Sequence, residues 1–417
     1  MSYYAIDFGT SNSLMSHVGT DGKITPVPLY QSQKVLRSLL YTSEKNVWHF
    51  GQDSIQEYIS TDGEGRFFRS VKKFLPETNY TGTTVHNKNM SISEIIAVFL
   101  GEMRRRANLF IGEDVKQVIL GRPALYSLDK KEDQLAEDRM RKAAELAGFT
   151  NIIFCPEPIA AGLDYNGQRK EEKIILIADF GGGTSDFTLM KVHSEKYSQE
   201  DILGLSGIFK AGDAIDGVMM KDFIAPHFGS RFEYKIPGGN NVLTFPRQLL
   251  VKICSPAHIT HLRERDTWEF LQHIQKFALS KEGEQHMHQL FTLVECQLGF
   301  PVFDVIEKTK VKLGSSNQAQ FSYHYPGIDI EELISKAAYE LSLQPTIDEI
   351  MHSMHEVFKQ SGIRPSAVSQ VCLTGGTSQL PLIKAKLSET FGEDKLTQFN
   401  VYESVVNGLA RYAQNLV

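Results

Sequence analysis

Residues Lys173–Val192 read KIILIADFGGGTSDFTLMKV, and this stretch decides the fold. An apolar run ends at Asp179, three glycines follow at Gly181, Gly182 and Gly183, and a second run resumes after Thr184 and Asp186. Two β-favouring runs joined by a short glycine turn predict a hairpin. The same grammar occurs at Tyr3–Val18, YYAIDFGTSNSLMSHV, where Asp7 ends the run and Gly9, Thr10 and Ser11 make the turn. Two such hairpins far apart in one chain predict two related lobes, each built on its own sheet.

Between the hairpins, SISEIIAVFLGEMRRRANLFIG places Ile92, Ile95, Ile96, Phe99 and Leu100 at helical spacing, with Ser91 or Ser93 as cap. A strand, VKQVILGRP, comes next, then a charged helix from about Lys130 to Leu146, stopped at Gly148. In FCPEPIAAGLDY a strand ends at Pro156 and Pro158 and a small-residue helix begins. Its Ala160, Ala161 and Gly162 would let backbones approach closely, so a crossing between the lobes is expected there. The stretch from Pro226 to Val305 mixes helical patterns with PGGNN and reads as an added subdomain. Helices are expected from about Val305 to Leu313 and from Ile330 to about Gln360. A strand and turn, SQVCLTGGTSQLP, and a terminal helix from near Glu403 complete the pattern.

A chain of 417 residues exceeds what one core organises, and 41% hydrophobic with 23% charged residues is ordinary globular composition. The net charge of −6 gives no field to recruit nucleic acid or anionic lipid, so neither is an expected partner. Cys155, Cys254, Cys296 and Cys372 are widely spaced and form no C-x-x-C pair, which argues for a reducing compartment and against a disulfide scaffold. No run approaches the ~18 apolar residues of a membrane helix. Asp7 interrupts the N-terminal apolar stretch and no basic segment precedes it, so no leader is expected and a cytoplasmic protein is. His258, His261, His286 and His288 with Cys254 match no zinc spacing. The Arg104–Arg106 run reads as a solvated helix face.

The glycine turns suit a polyphosphate. Consecutive backbone N–H groups with little side chain can receive phosphate oxygens at close range, and hydroxyls add further donors. Gly9, Thr10 and Ser11 could hold phosphates from one side, and Gly181, Gly182, Gly183 and Thr184 from the other. Carboxylates repel phosphate, so Asp7, Asp179 and Asp186 make sense beside these turns if a cation, most simply Mg²⁺, intervenes. The glycine pair Gly375 and Gly376 supplies a third turn of the same kind. One Asp-x-Gly-Thr alone would be a good turn sequence and no more.

The ordered series IDFGTSNS, VILGRPALYS, EPIAAG, DFGGGTSDF, AGDAIDG and LTGGTSQLP resembles the ATPase domain of the DnaK-type heat-shock chaperones, most closely short bacterial members without the peptide-binding part. The resemblance covers the chain apart from about Pro226 to Val305. It implies an α/β, actin-like fold with ribonuclease H-like repeats: a first lobe over 1–170, a second over 171–400 with an enlarged subdomain at 226–305, and a terminal helix over 401–417 packing back on the first. It implies ATP/ADP and Mg²⁺ as cofactors. Thr10, Ser11 and Asn12 would bind phosphate in the first turn, with Asp7 holding water on the metal. Gly182, Gly183 and Thr184 would do the same in the second, with Asp179 and Asp186 near the metal and the attacking water. Lys72, in RSVKKFL, would position that water, with Lys73 one residue away, and Glu157 would contact the metal shell. Gly212, Asp213, Glu307, Lys310, Gly314, Gly375, Gly376 and Thr377 would complete the nucleotide site.

Two departures stand out. Val311 and Gln379 occupy the places of two arginines that would stack on adenine, each worth about 1–2 kcal/mol when desolvated. Tyr402 replaces an acidic residue before the terminal helix. A peptide clamp is not expected, so the enlarged subdomain is the expected surface for a protein partner or client, and oligomeric state stays open. The leading reading is a slow, chaperone-type ATPase. A sugar kinase of the same superfold is the alternative enzyme, although no acidic base for an acceptor hydroxyl stands out. A nucleotide-binding or filament-forming module with vestigial hydrolysis is the third.

Overall fold

Both glycine turns close hairpins, and each hairpin seeds a sheet of the same plan. In the computed structural model, which describes residues 1–45, 47–61, 64–166, 173–192, 199–255, 258–398 and 403–417, the chain forms two units. The first comprises Met1–Ala211, Ile350–Gln379 and Ile383–Val417, and the second Gly212–Glu349 with Leu380–Leu382.

The first unit holds both sheets. Strands β1 (Tyr3–Phe8), β2 (Asn12–Val18) and β3 (Ile24–Pro26) run antiparallel in succession. Helix α1 (Ile92–Ile111) follows, its start fixed by a capping box in which Ser91 and Glu94 each satisfy the other's backbone N–H. Strand β4 (Gln117–Arg122) returns parallel to β1. Helix α2 (Lys130–Leu146) then leads to β5 (Asn151–Pro156), parallel to β4. Beyond α2 the chain turns at Gly148, whose φ of +91° favours glycine. Helix α3 (Glu157–Asn166) precedes the second hairpin of β6 (Lys173–Phe180) and β7 (Ser185–Val192). Strand β8 (Ile202–Ile208) adds antiparallel to β7, while β9 (Gln370–Thr374) and β10 (Leu396–Gln398) add in parallel on the other side. The spatial orders are β3-β2-β1-β4-β5 and β8-β7-β6-β9-β10, so the sequence echo is a topological repeat.

The terminal helix α4 (Ser404–Gln414) packs on α3 and on β1. Tyr3, Ala5, Ile119, Ile159, Ala160, Leu409 and Ala410 share one buried core, whereas Ala161 joins Ile175, Ile177, Met190 and Cys372 in another. Adjacent alanines of α3 therefore serve the two sheets in turn. The close approach at α3 is made by the terminal helix α4: a Cβ on Gly408 would overlap the backbone carbonyl of Ala160.

In the second unit, the stretch after Pro226 contains helices Arg247–Ile253, Arg265–Gln275 and Lys281–Glu295, and the expected helix near Val305 runs from Gly299 to Ser315. One expectation is corrected. The helix placed from Ile330 starts at Lys336 and ends at Ser361, because Gln318–Tyr325 and Ile328–Ser335 form an antiparallel hairpin. Ala319, Phe321, Ile328, Ile330 and Ile334 are buried between exposed neighbours, a period of two, and Gly327 turns the chain at φ +89°.

Candidate functional site

The two turns are locked in the same way. The N–H of Gly9 donates to the Asn12 carbonyl at 3.0 Å, and that of Gly181 to the Thr184 carbonyl at 2.9 Å. The first turn is further held by Ser38, whose hydroxyl donates to the Gly9 carbonyl at 2.7 Å and whose N–H donates to the Ser11 carbonyl at 2.8 Å. Asn12 is the first residue of β2. The turns also face each other. A Cβ on Gly182 would overlap Ser11 Oγ, and a Cβ on Gly183 would overlap Lys73 Cε and lie 3.3 Å from Thr10 Oγ1. Glycine at 182 and 183 thus leaves room for the Ser11 hydroxyl and the Lys73 side chain where the turns meet.

The third glycine segment closes on the second. Thr377 Oγ1 donates to the Gly181 carbonyl at 3.0 Å. Gly375 sits at φ +79°, where any Cβ would strike the Phe180 carbonyl and approach Asp179 Oδ1 to 2.9 Å. Parallel pairing of β6 with β9 sets Thr374 beside Asp179. Gly376 and Gln379 bound the single 3₁₀ turn that follows.

Beside the turns lies a buried charge cluster. Asp7 is near the end of β1, Glu157 opens α3, and Asp179 and Asp186 stand directly opposite each other on β6 and β7. Lys72 Nζ donates to Glu157 Oε1 at 2.8 Å, with the two side chains only 11% and 12% exposed. Burial, then repulsion from Glu157, pushes Asp7 up to about 7, against the pull of Lys72. Asp186 is also pushed up to about 7, by burial and Glu157, although the Thr184 hydroxyl donates to its Oδ2 at 2.7 Å. Burial, Glu157, Asp186 and Asp7 together hold Asp179 well above the carboxylate range. For Lys72 burial alone would lower the value, but Glu157, Tyr126 and Asp7 outweigh it and raise it. Four carboxyl groups thus share this one lysine, and the raised values mean that a cation arriving beside them would favour their ionised forms.

Among the described residues no group of three or more His, Cys, Asp or Glu side chains converges closely enough to hold a metal ion directly. The carboxyl oxygens of Asp7, Asp179 and Asp186 are hard donors, of the kind that a hydrated Mg²⁺ accepts through its waters.

Two residues not singled out from the sequence belong to this site. Tyr126 is buried, its hydroxyl has no hydrogen-bond partner among the described residues, and burial pushes it up to about 12, with Lys72 pulling it down and Glu157 pushing it up. Thr188 lines a small cleft with Glu157, Asp179, Asp186 and Thr374, and its buried hydroxyl is likewise without a partner among the described residues. Tyr126 stood within the quoted VILGRPALYS, but its side chain reaches Lys72 only through the tertiary fold.

The residues expected around the nucleoside belong to the second unit. Gly212 and Asp213 are buried at the start of helix Gly212–Met219. Lys310 Nζ donates to Asp216 Oδ1 at 2.6 Å; burial would depress this lysine, but the carboxylate keeps it above its ordinary value. Glu307 lies one turn earlier on helix Gly299–Ser315 and Gly314 near its end, while Val311 is 68% exposed on the same helix. Tyr402 lies outside the described residues.

A family model for the Hsp70 protein matches residues 51–225 and 302–416, the greater part of the chain. The chain belongs to the Hsp70 family. The actin-like fold expected of an Hsp70 protein is the α/β architecture described above, with its repeated sheet order. The matched residues include Lys72, Glu157, the second and third turns, Glu307 and Lys310. They omit the first turn and residues 226–301, most of the stretch expected to be an added subdomain. This Hsp70-family chain is 21% identical over 412 residues to the chaperone protein DnaK of Thermosipho melanesiensis, covering 97% of the chain and 58% of that protein. It is 22% identical over 413 residues to the chaperone protein DnaK of Nitrosopumilus maritimus, covering 97% and 55%. The chain therefore spans little more than half the length of these relatives. Among the described residues no single helix is long and apolar enough to cross a membrane.

Proposed function

We propose that this Hsp70-family chain binds Mg-ATP between its two glycine turns and hydrolyses it slowly to ADP and phosphate, as a nucleotide-dependent protein of chaperone type. The observation that carries the reading is the pair of identically locked turns, Gly9–Asn12 and Gly181–Thr184, facing each other beside a buried carboxylate cluster. Backbone N–H groups of both turns, with the hydroxyls of Thr10, Ser11 and Thr184, would receive phosphate oxygens. Asp7, Asp179 and Asp186 would hold the waters of the metal, and bound Mg²⁺ supplies charge stabilisation to the phosphoryl group in flight. Glu157 fixes the Lys72 ammonium at one place, so that it can orient the attacking water with little reorganisation. No covalent nucleophile is needed.

Val311 and Gln379, in place of stacking arginines, predict weaker adenine binding without loss of the phosphate contacts. Residues 226–305 are the proposed surface for a protein partner or client. The test is phosphate release from ATP by purified protein, with and without Mg²⁺, beside a calorimetric titration. Metal-dependent release with saturable ATP binding is expected. Absence of heat with millimolar Mg-ATP and folded protein would remove the reading.

A further inference from the structure

We propose that Lys73 is a second phosphate-binding cation, one that spans the two glycine turns, while Lys72 serves the carboxylate cluster. The proposal rests on the Mg-ATP reading and extends it. Its starting point is Ser70, a fully buried, non-glycine residue held at φ +57°, directly before the 3₁₀ turn Val71–Phe74. A serine in the left-handed region is uncommon and is retained where surrounding structure enforces it. In that 3₁₀ turn successive side chains point about 120° apart, so the two adjacent lysines diverge. Lys72 is drawn to Glu157 at 2.8 Å, in a nearly enclosed ion pair. Lys73 instead lays its Cε so close to Gly183 that any Cβ there would overlap it, and that same Cβ position is 3.3 Å from Thr10 Oγ1 and Cγ2. The end of the Lys73 side chain is therefore placed where the first and second turns meet.

This placement has a chemical use. The Lys72 ammonium is already engaged by Glu157. A polyphosphate entering the space between the turns adds negative charge, and backbone amides carry only partial positive charge. An ammonium on a flexible stem is well suited to follow a phosphate oxygen as a point charge. Gly183 provides the room for it, so the glycine and the lysine form one device.

The experiment compares wild type, K73M and K73R by calorimetry with Mg-ATP and with adenosine. For K73M the Mg-ATP dissociation constant should rise by about 10- to 100-fold, with adenosine binding unchanged. K73R should stay within about 3-fold of wild type, since it keeps the charge. K73M binding Mg-ATP like wild type, or losing ATP and adenosine alike, overturns the assignment. Wild type binding no Mg-ATP removes the nucleotide reading itself, a distinct outcome. A second measurement does not depend on any variant folding. Amine acetylation of the wild-type protein, read by mass spectrometry, should slow at Lys73 by about 10-fold with a non-hydrolysable Mg-ATP analogue and be unaffected by adenosine. Equal labelling with and without the analogue overturns the proposal.

Discussion

Replacing Asp179 by asparagine should lower Mg-ATP-dependent phosphate release by about 100-fold or more, the scale of losing one preorganised electrostatic group in a site of this kind. The same substitution should raise the Tm of the metal-free protein. Both effects have one cause. Asp179 is buried, faces Asp186 across the hairpin, and lies near Glu157 and Asp7, which together hold its carboxyl well above the ordinary range. In the unfolded chain this group ionises near pH ~4, whereas the folded protein retains the proton to higher pH. The stability associated with the bound proton is thus complete below pH ~4 and is lost as pH rises through the folded value. Asparagine carries no charge to bury, so the variant should gain stability over wild type increasingly as pH rises from ~4 towards neutrality. Phosphate-release assays and thermal melts across that range, without metal for the melts, check both halves. A variant that loses activity and stability together would mean that Asp179 is a structural residue.

The second large effect is predicted where α3 and α4 cross. Gly408→Ala would place a methyl group on the Ala160 carbonyl and within overlap of its carbonyl carbon. Both colliding partners are backbone, and both helices are anchored in the core around Ala5, Ile119 and Leu409. The crossing must therefore widen, which costs about 3 kcal/mol at such tight packing, or about 3–5 °C in Tm for a chain of this length. Gly101 is the built-in control. It lies in the middle of α1, and no heavy atom stands within 4 Å of the place a methyl group would take, so Gly101→Ala should leave stability unchanged or raise it by up to ~1 kcal/mol. Paired melts of the two alanine variants separate a steric effect from a general response to glycine replacement.

The sequence announced the parts of the site whose chemistry is local. A strand ending in aspartate and turning through glycine needs only neighbouring residues, so both hairpins and the carboxylates at their ends could be read directly. The helix stop at Gly148 was legible for the same reason, and the cap was narrowed to Ser91 or Ser93, of which the fold uses Ser91. Long-range pairings were not. Lys72 and Glu157 are distant in sequence, and the resemblance to a known family gave them separate roles, without the ion pair that the fold makes between them. The two directions taken by Lys72 and Lys73 follow from the 3₁₀ turn Val71–Phe74, which no residue pattern announced. The small-residue run at Ala160–Gly162 showed one side of the helix crossing, but Gly408, the other side, is an ordinary helical glycine until the fold brings it there. The segment from Ile330 was misread because its apolar residues fit a helical stripe when taken with those that follow, whereas pairing with Gln318–Tyr325 makes the period two.

Everything proposed for this site requires that both glycine turns hold the same polyphosphate. Amide hydrogen exchange of the folded protein, with and without Mg-ATP, measures this directly at the backbone N–H groups concerned. Exchange should slow together in Gly9–Asn12 and Gly181–Thr184, at the same nucleotide concentration. Slowing in one turn alone, or in neither under conditions where ATP is bound, would contradict a shared grip.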